Sequence, residues 1–285
     1  MTSPVSKAGM VQCPPHENRN QMTVPWWHKL MSSSIAGGFG GYICFPWEGL
    51  KKKKQRGQPI TMKSFYPTEL MRGSTGFATS VTVATMASMT FNNLLHGLPG
   101  YDPTSHVCIV SAAVGAGMIG AIVGSTPVEN LIAKQQELKT GPVQAMRHML
   151  QQGITRPWVG VRELAIREGG FAFSMLVGGR AANKAAYEQT QSKMLGNVAE
   201  GGACALGAAI THPWDRIATY RQIRDGKISL SQAIREINRQ GWKGFFPGLE
   251  HRVVLFWGCA ALIPRIEEII SRTILNNGAF YDRSY

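Results

Sequence analysis

Three stretches of this chain repeat one set of side chains: Pro46, Glu48 and Gln55; Pro127, Glu129 and Gln136; Pro213, Asp215 and Gln222. Each is a proline, an acid two positions on and a glutamine nine positions on. Proline in a helix interior removes one backbone hydrogen bond and bends the helix, so helices carrying it can converge at one end of a bundle. A carboxylate within an apolar helix is costly unless paired, so equivalent acids imply a built polar cluster at that convergence. The small pairs Gly37/Gly41, Gly120/Gly124 and Ala203/Gly207 lie on the same segments, where they let helix backbones approach closely.

The elements that must position these residues read as long apolar helices. Val107 to Val128 is 22 residues without a charge, long enough to cross about 30 Å of hydrocarbon as a helix. Weaker segments of similar length run from Leu30 to Leu50, Thr75 to Leu95, Glu168 to Ala186, Gly196 to Arg216 and Leu249 to Ile270, giving six helices. Charged residues make up 16% of the 285 positions, against roughly 25% in ordinary soluble proteins. Glycine is abundant at 32 residues. A mean hydropathy of −0.09 argues against a uniformly apolar bundle, so many helix faces are polar or line water.

A net charge of +13 raises nucleic acid or an anionic membrane as a partner. The basic residues crowd three connections: Lys51 to Lys54, Arg56, Lys63 and Arg72; Lys134, Lys139, Arg147, Arg156 and Arg162; Arg221, Arg224, Lys227, Arg235, Arg239 and Lys243. The connections His96 to His106 and Gln189 to Leu195 offer only Lys193. This asymmetry puts both termini on one face of a membrane and the three long loops on the other. The run Lys51 to Lys54 directly follows a hydrophobic segment, so it reads as a topology anchor, and no nucleic-acid partner is expected. Between residues 1 and 27 there is neither a signal-peptide pattern nor an Arg-rich presequence, which predicts a flexible tail and internal targeting.

Internal repetition supports three units. Gln144-Ala145-Met146-Arg147 with Gln152-Gly153 returns as Gln232-Ala233-Ile234-Arg235 with Gln240-Gly241, 88 positions later. Gly160 to Gly248 keeps that offset, and Gly73 to Gly160 is 87. Units at about 28–100, 101–193 and 194–275, each helix, basic loop, short amphipathic helix and helix, fill the chain before a short tail at 276–285. In the third unit Leu230, Ile234 and Ile237 form an apolar helix side suited to the bilayer surface. Cys13, Cys44, Cys108, Cys204 and Cys259 contain no C-x-x-C and read as reduced packing residues. The histidines show no metal-ligand spacing and no catalytic triad is legible, so no enzyme, metal or cofactor is expected.

With three copies of its Pro-x-acid pattern ending in glutamine, the chain resembles the mitochondrial carrier family, whose motif is P-x-[DE]-x-x-[KR] followed by a glutamine brace. The likeness covers about residues 30 to 275 and extends to the loop ends Arg72-Gly73, Trp158-Val159-Gly160 and Phe246-Pro247-Gly248. It implies an all-α, multi-pass protein of the mitochondrial inner membrane, functional as a monomer. Six transmembrane helices would form three pseudo-symmetric two-helix repeats, with short amphipathic matrix-side helices, around a water-filled cavity used for alternating access. By the same resemblance Glu48, Lys51, Gln55, Glu129, Gln136, Asp215 and Gln222 form a matrix gate, and Pro46, Pro127 and Pro213 kink its helices. Gly73, Gly160 and Gly248 would expose helix N-terminal N–H groups to cardiolipin phosphates.

The departures from the family pattern shape the expectations. Lys51 fills the basic place of the first motif, but Ile132 and Ala218 fill it in the others. A family-type gate would keep Asp215 with Lys51 and leave Glu48 and Glu129 to Arg216, Arg221, Lys134 or water. On the opposite side Asn93/His96, Arg180/Asn183 and Glu268/Ser271, with Tyr187-Glu188 nearby, make a weak second gate. A closed state held by packing and glutamine braces more than by ion pairs is expected.

The family's solute contacts fall seven or eight residues beyond each loop glycine: Ser80, Arg167 with Glu168, and Leu255, with Arg252 one turn earlier. A buried arginine offers a fork suited to carboxylate or phosphate, and Glu168 beside it suits an amino group. Arg167-Glu168 resembles amino-acid carriers, whereas Phe245-Phe246-Pro247-Gly248 is similar to nucleotide carriers. The expectation is exchange of a small anionic solute, with an ATP- or ADP-like nucleotide ahead of an amino acid or carboxylate. A carrier-fold interaction protein that does not transport is the alternative of a different class. Such divergence is also compatible with a copy borrowed by an intracellular parasite and sent to host mitochondria.

Overall fold

The computed structural model describes residues 26–71, 73–102 and 104–274. Arg72, the C-terminal tail at 276–285 and all but the end of the N-terminal tail lie outside the described residues. α1 (Trp26–Gln55) leads through a single turn, α2 (Pro67–Leu70), to α3 (Ser74–His96). α4 (His106–Gly120) continues through a π-turn at Ala121–Ser125 into α5 (Thr126–Leu138). After α6 (Pro142–Gln151), α7 (Val161–Phe173) joins α8 (Arg180–Thr190) through a second π-turn at Ser174–Gly179. α9 (Lys193–Ile210) and α10 (His212–Ile223) are parted by Thr211 alone, then come α11 (Leu230–Asn238) and α12 (Leu249–Ile274). No strand occurs among the described residues.

Six long rods result: α1, α3, α4–α5, α7–α8, α9–α10 and α12. They close a ring, α1 packing on α3 and α12, α3 on α4, α4 on α7, α8 on α9, and α9 on α12. Small residues set the spacing. A methyl group added at Gly124 would come within 2.7 Å of the Ala84 backbone nitrogen, and one at Gly207 would overlap Ser174. The three equivalently spaced prolines are accommodated differently. Pro46 sits inside an uninterrupted α1, Pro127 opens α5 just after a π-turn, and Pro213 follows the break at Thr211.

The loop glycines reveal a cyclic relation between the helix pairs. Gly73, Gly160 and Gly248 have φ of +97°, +83° and +82°, a left-handed conformation that only glycine adopts without strain. A Cβ on Gly73 would meet Ile132 at 3.0 Å, one on Gly160 would meet Ala218 at 3.5 Å, and one on Gly248 would meet the Lys51 carbonyl at 3.0 Å. Each turn therefore abuts the next motif at its third position after the acid. Ile132 and Ala218 are buried there as packing surfaces.

Two expectations about the short helices are corrected. The first helix pair has only the turn α2 and a 3-10 turn at Met62–Phe65 where the others have α6 and α11. The apolar side of α11 is turned inward: Ala233 and Ile237 pack with Ile217 of α10, and Leu230 and Ile234 join that cluster. Burying this side against α10 leaves it no apolar stripe for a bilayer surface. α6 differs, burying Ala145 and Met149 while Val143 and Leu150 stay exposed.

Burial on the rods is inverted relative to an ordinary water-soluble bundle. Phe39, Ile43, Val107, Val123, Leu206 and Ile210 face outward, Val107 and Ile210 at 76% exposure, while Glu48, Lys51, Arg167, Asp215 and Arg252 are buried. Among the described residues one helix, His106–Leu138, is long and apolar enough by itself to cross a membrane, with a mean hydropathy of 2.2 in its best window. Buried charged residues lie on α1, α5, α7, α10 and α12, whereas α3 carries no Asp, Glu, Lys or Arg.

Candidate functional site

The three motif acids meet. Glu48 of α1, Glu129 of α5 and Asp215 of α10 are buried at the end of the ring that bears the basic loops. Lys51 lies 2.7 Å from Glu48 and 3.2 Å from Asp215, the cross-helix pair the resemblance implies. Gln55 donates to Asp215 at 2.6 Å and accepts from the Thr219 hydroxyl at 3.0 Å. Among the described residues this is the one glutamine that bonds a motif acid. The Gln136 Oε1 and the Gln222 Nε2 are buried without a hydrogen-bond partner.

The expected partners of Glu48 and Glu129 are corrected. Arg216 donates to the carbonyls of Gln55 and Gly244, Arg221 pairs with Glu163 at 2.6 Å, and Lys134 pairs with Glu137 and Asp225. Lys52 takes the role instead. Its ammonium lies 2.9 Å from Glu129 and 3.9 Å from both Glu48 and Asp215, and it donates to Thr219 at 3.1 Å, so it reaches all three acids. A sequence signal existed: Lys52 follows Glu48 by four positions and so shares its helix face. The surrounding lysine run obscured it.

Arg167 and Arg252, expected as solute contacts, are drawn into the same cluster. Arg167 holds Glu129 in a fork, Nη2 lying 2.5 Å from Oε1 and Nη1 donating to Oε2 at 3.3 Å, and it also contacts Asp215 and Glu168. Arg252 lies 3.3 Å from Asp215, donates to Thr211 at 3.0 Å and sits over the Phe256 ring. Lys51, Lys52, Arg167 and Arg252 thus face Glu48, Glu129, Glu168 and Asp215, four cations against four acids. An isolated buried charge is very costly, and a balanced network is how such groups coexist. The expected closed state held chiefly by packing and glutamines is therefore overturned.

Ser80 of α3 and Leu255 of α12 are buried, but no hydrogen bond or ion pair joins Ser80 to the cluster. Glu168 is the cluster's least buried member, at 20% side-chain exposure. Around the cluster run outer clips between helix pairs. Asp225 accepts from Lys134 at 3.1 Å and from Arg156, and Arg156 also donates to the Gln222 carbonyl. Burial alone would raise the Asp225 carboxyl, but its bonds to Arg156 and Lys134 hold it below the ordinary carboxylate range. Arg56 reaches the Ala133 carbonyl, and Lys54 pairs with Glu250.

At the opposite end the residues expected to form a second gate make contacts within one helix or between neighbouring elements. Asn183 donates to Asn197 at 3.3 Å and to Glu200 at 2.7 Å, and His96 packs against Tyr101. Arg265 lies 3.9 Å from Glu268 on the same helix, and Lys184 lies 3.8 Å from Glu188 on its own. The Ser271 side chain lies outside the described residues. No protein-family model and no curated protein matches the chain.

Proposed function

We propose that this chain is a multi-pass carrier of the mitochondrial type that exchanges a small anionic solute across the inner membrane by alternating access. The observation that carries this reading is the inverted burial: large apolar side chains face outward around the ring, while a charge-balanced cluster lies inside at one end. Outward apolar faces suit a bilayer, and buried ionisable groups inside such a ring suit a gated solute path. The three motif acids, Lys51 and Lys52 then form the gate on the basic-loop side. The bases absent at Ile132 and Ala218 are made up by Lys52, Arg167 and Arg252, which weighs against a carrier fold that has lost transport. By the resemblance, the helix N-termini after Gly73, Gly160 and Gly248 would face phosphates of an anionic lipid such as cardiolipin.

A nucleotide remains the favoured solute because two arginine forks lie together at the site. An amino acid is the second reading, favoured by Glu168, a partly exposed acid beside Arg167. Uptake of labelled ATP, malate or arginine into liposomes carrying the purified protein and preloaded with unlabelled solute tests both. ATP exchange that is lost in Arg167→Ala supports the nucleotide reading. Uptake of arginine or malate alone moves the assignment, and no uptake of any of them sinks the carrier reading.

A further inference from the structure

The arginine fork at the expected solute site is already filled. Glu129 presents both carboxylate oxygens to the two terminal nitrogens of Arg167, at 2.5 and 3.3 Å. That two-point geometry is how a guanidinium receives the carboxylate or phosphate of a ligand. The two residues come from different rods, Glu129 from α5 and Arg167 from α7, and both are buried. Glu129 has a second cation, Lys52, whose ammonium lies 2.9 Å from the Oε2 that also accepts from Arg167 Nη1. It can therefore leave Arg167 without becoming an unpaired buried charge. Asp215 is tied more widely, to Lys51, Arg167, Arg252 and Gln55.

We propose that Glu129 is a tethered competitor of the solute: in the closed state its carboxylate occupies the anion position on Arg167, and an incoming anion must evict it. This rests on the reading of Arg167 as a solute contact. Eviction transfers Glu129 wholly to Lys52 and removes one link between α5 and α7, so gate opening and solute binding become a single exchange of partners. Only a group with at least two acceptor oxygens and a negative charge replaces what is lost, which restricts the solute to carboxylates and phosphates. The competitor also lowers the affinity of the solute, because the binding-competent form is only a fraction of the protein. Glu129 is thus a specificity-determining residue that acts by being displaced.

The test is binding of ATP and of malate to the full chain in detergent, by calorimetry and by ligand-induced thermal stabilisation. Glu129→Gln should bind its preferred probe about tenfold more tightly than the unaltered chain. Glu129→Asp, which keeps the charge, should restore the ordinary affinity, and Glu137→Gln at the exposed end of α5 should leave it unchanged. If Glu129→Gln melts cooperatively yet binds no more tightly, while Arg167→Ala loses binding, the competitor is overturned and the solute site stands. If Arg167→Ala binds as well as the unaltered chain, or neither probe binds at all, the solute site itself falls and the competitor with it. Should Glu129→Gln fail to fold because Lys52 is left unpaired, the Lys52→Met/Glu129→Gln double variant removes the pair as a neutral unit and is judged by the same outcomes.

Discussion

The two ends of the helix ring are held by different forces. At the basic-loop end, acids from α1, α5 and α10 share cations from α1, α7 and α12, so five of the six rods are tied together through buried charge. At the other end the contacts join neighbours: Ser33 of α1 donates to Glu267 of α12 at 2.5 Å, and Asn183 of α8 donates to Glu200 of α9 at 2.7 Å. Hydrogen bonds between adjacent rods break one at a time. A shared ion network loses much of its stabilisation when one member goes, because the remaining charges stay buried and unbalanced. The difference makes the basic-loop end the more strongly held of the two.

The largest expected effect is at the centre of the network. Asp215→Asn leaves Lys51, Arg167 and Arg252 short of a shared acid, and should destabilise the chain by about 3–5 kcal/mol. A lower thermal unfolding midpoint in detergent checks this. An unchanged midpoint would mean that the two ends are held alike. At the opposite end Ser33→Ala removes one hydrogen bond and should cost about 1 kcal/mol, read in the same assay. A loss as large as that of Asp215→Asn would break the comparison from the other side.

The smallest effect belongs to the outer clip at Asp225, which sharpens the comparison by separating a fully buried acid from one that is a quarter exposed. Its folded carboxyl titrates below the unfolded one, so its contribution is full above the ordinary carboxylate range and fades as pH falls through the folded value. Solvent screening keeps that contribution to about 0.5 kcal/mol. Asp225→Asn should therefore lower the unfolding midpoint slightly at neutral pH and leave it unchanged in strong acid. Added salt should weaken the clip much more than it weakens the buried cluster. A clip equally strong at high salt would show that Asp225 acts through packing.

Much of this arrangement was legible in the chain, and the reasons are local. The spacing of Pro46, Pro127 and Pro213 with their acids located the cluster, because a repeated motif fixes equivalent places in equivalent helices. The Lys51–Asp215 pair followed from the one motif that kept its base. Partners contributed by other helices did not follow. Lys52 lay hidden in a lysine run, and Arg167 and Arg252 were legible as buried arginines but not as partners of Glu129 and Asp215. The short helices misled for a related reason: an amphipathic pattern states that a face will be covered, not by what, and α10 rather than lipid covers α11.

By itself the sequence determined the six long helical segments and the end at which charge collects. Each of these depends on composition or periodicity within a few residues. Only the tertiary structure decided which base meets which acid, that Ile132 and Ala218 serve as packing surfaces for the preceding turns, and that the arginines of the expected solute site are occupied. Cross-helix ion pairing at the cluster depends on distances between side chains 37 to 164 positions apart, and such distances are set by how the rods pack around the ring, not by any one stretch of chain.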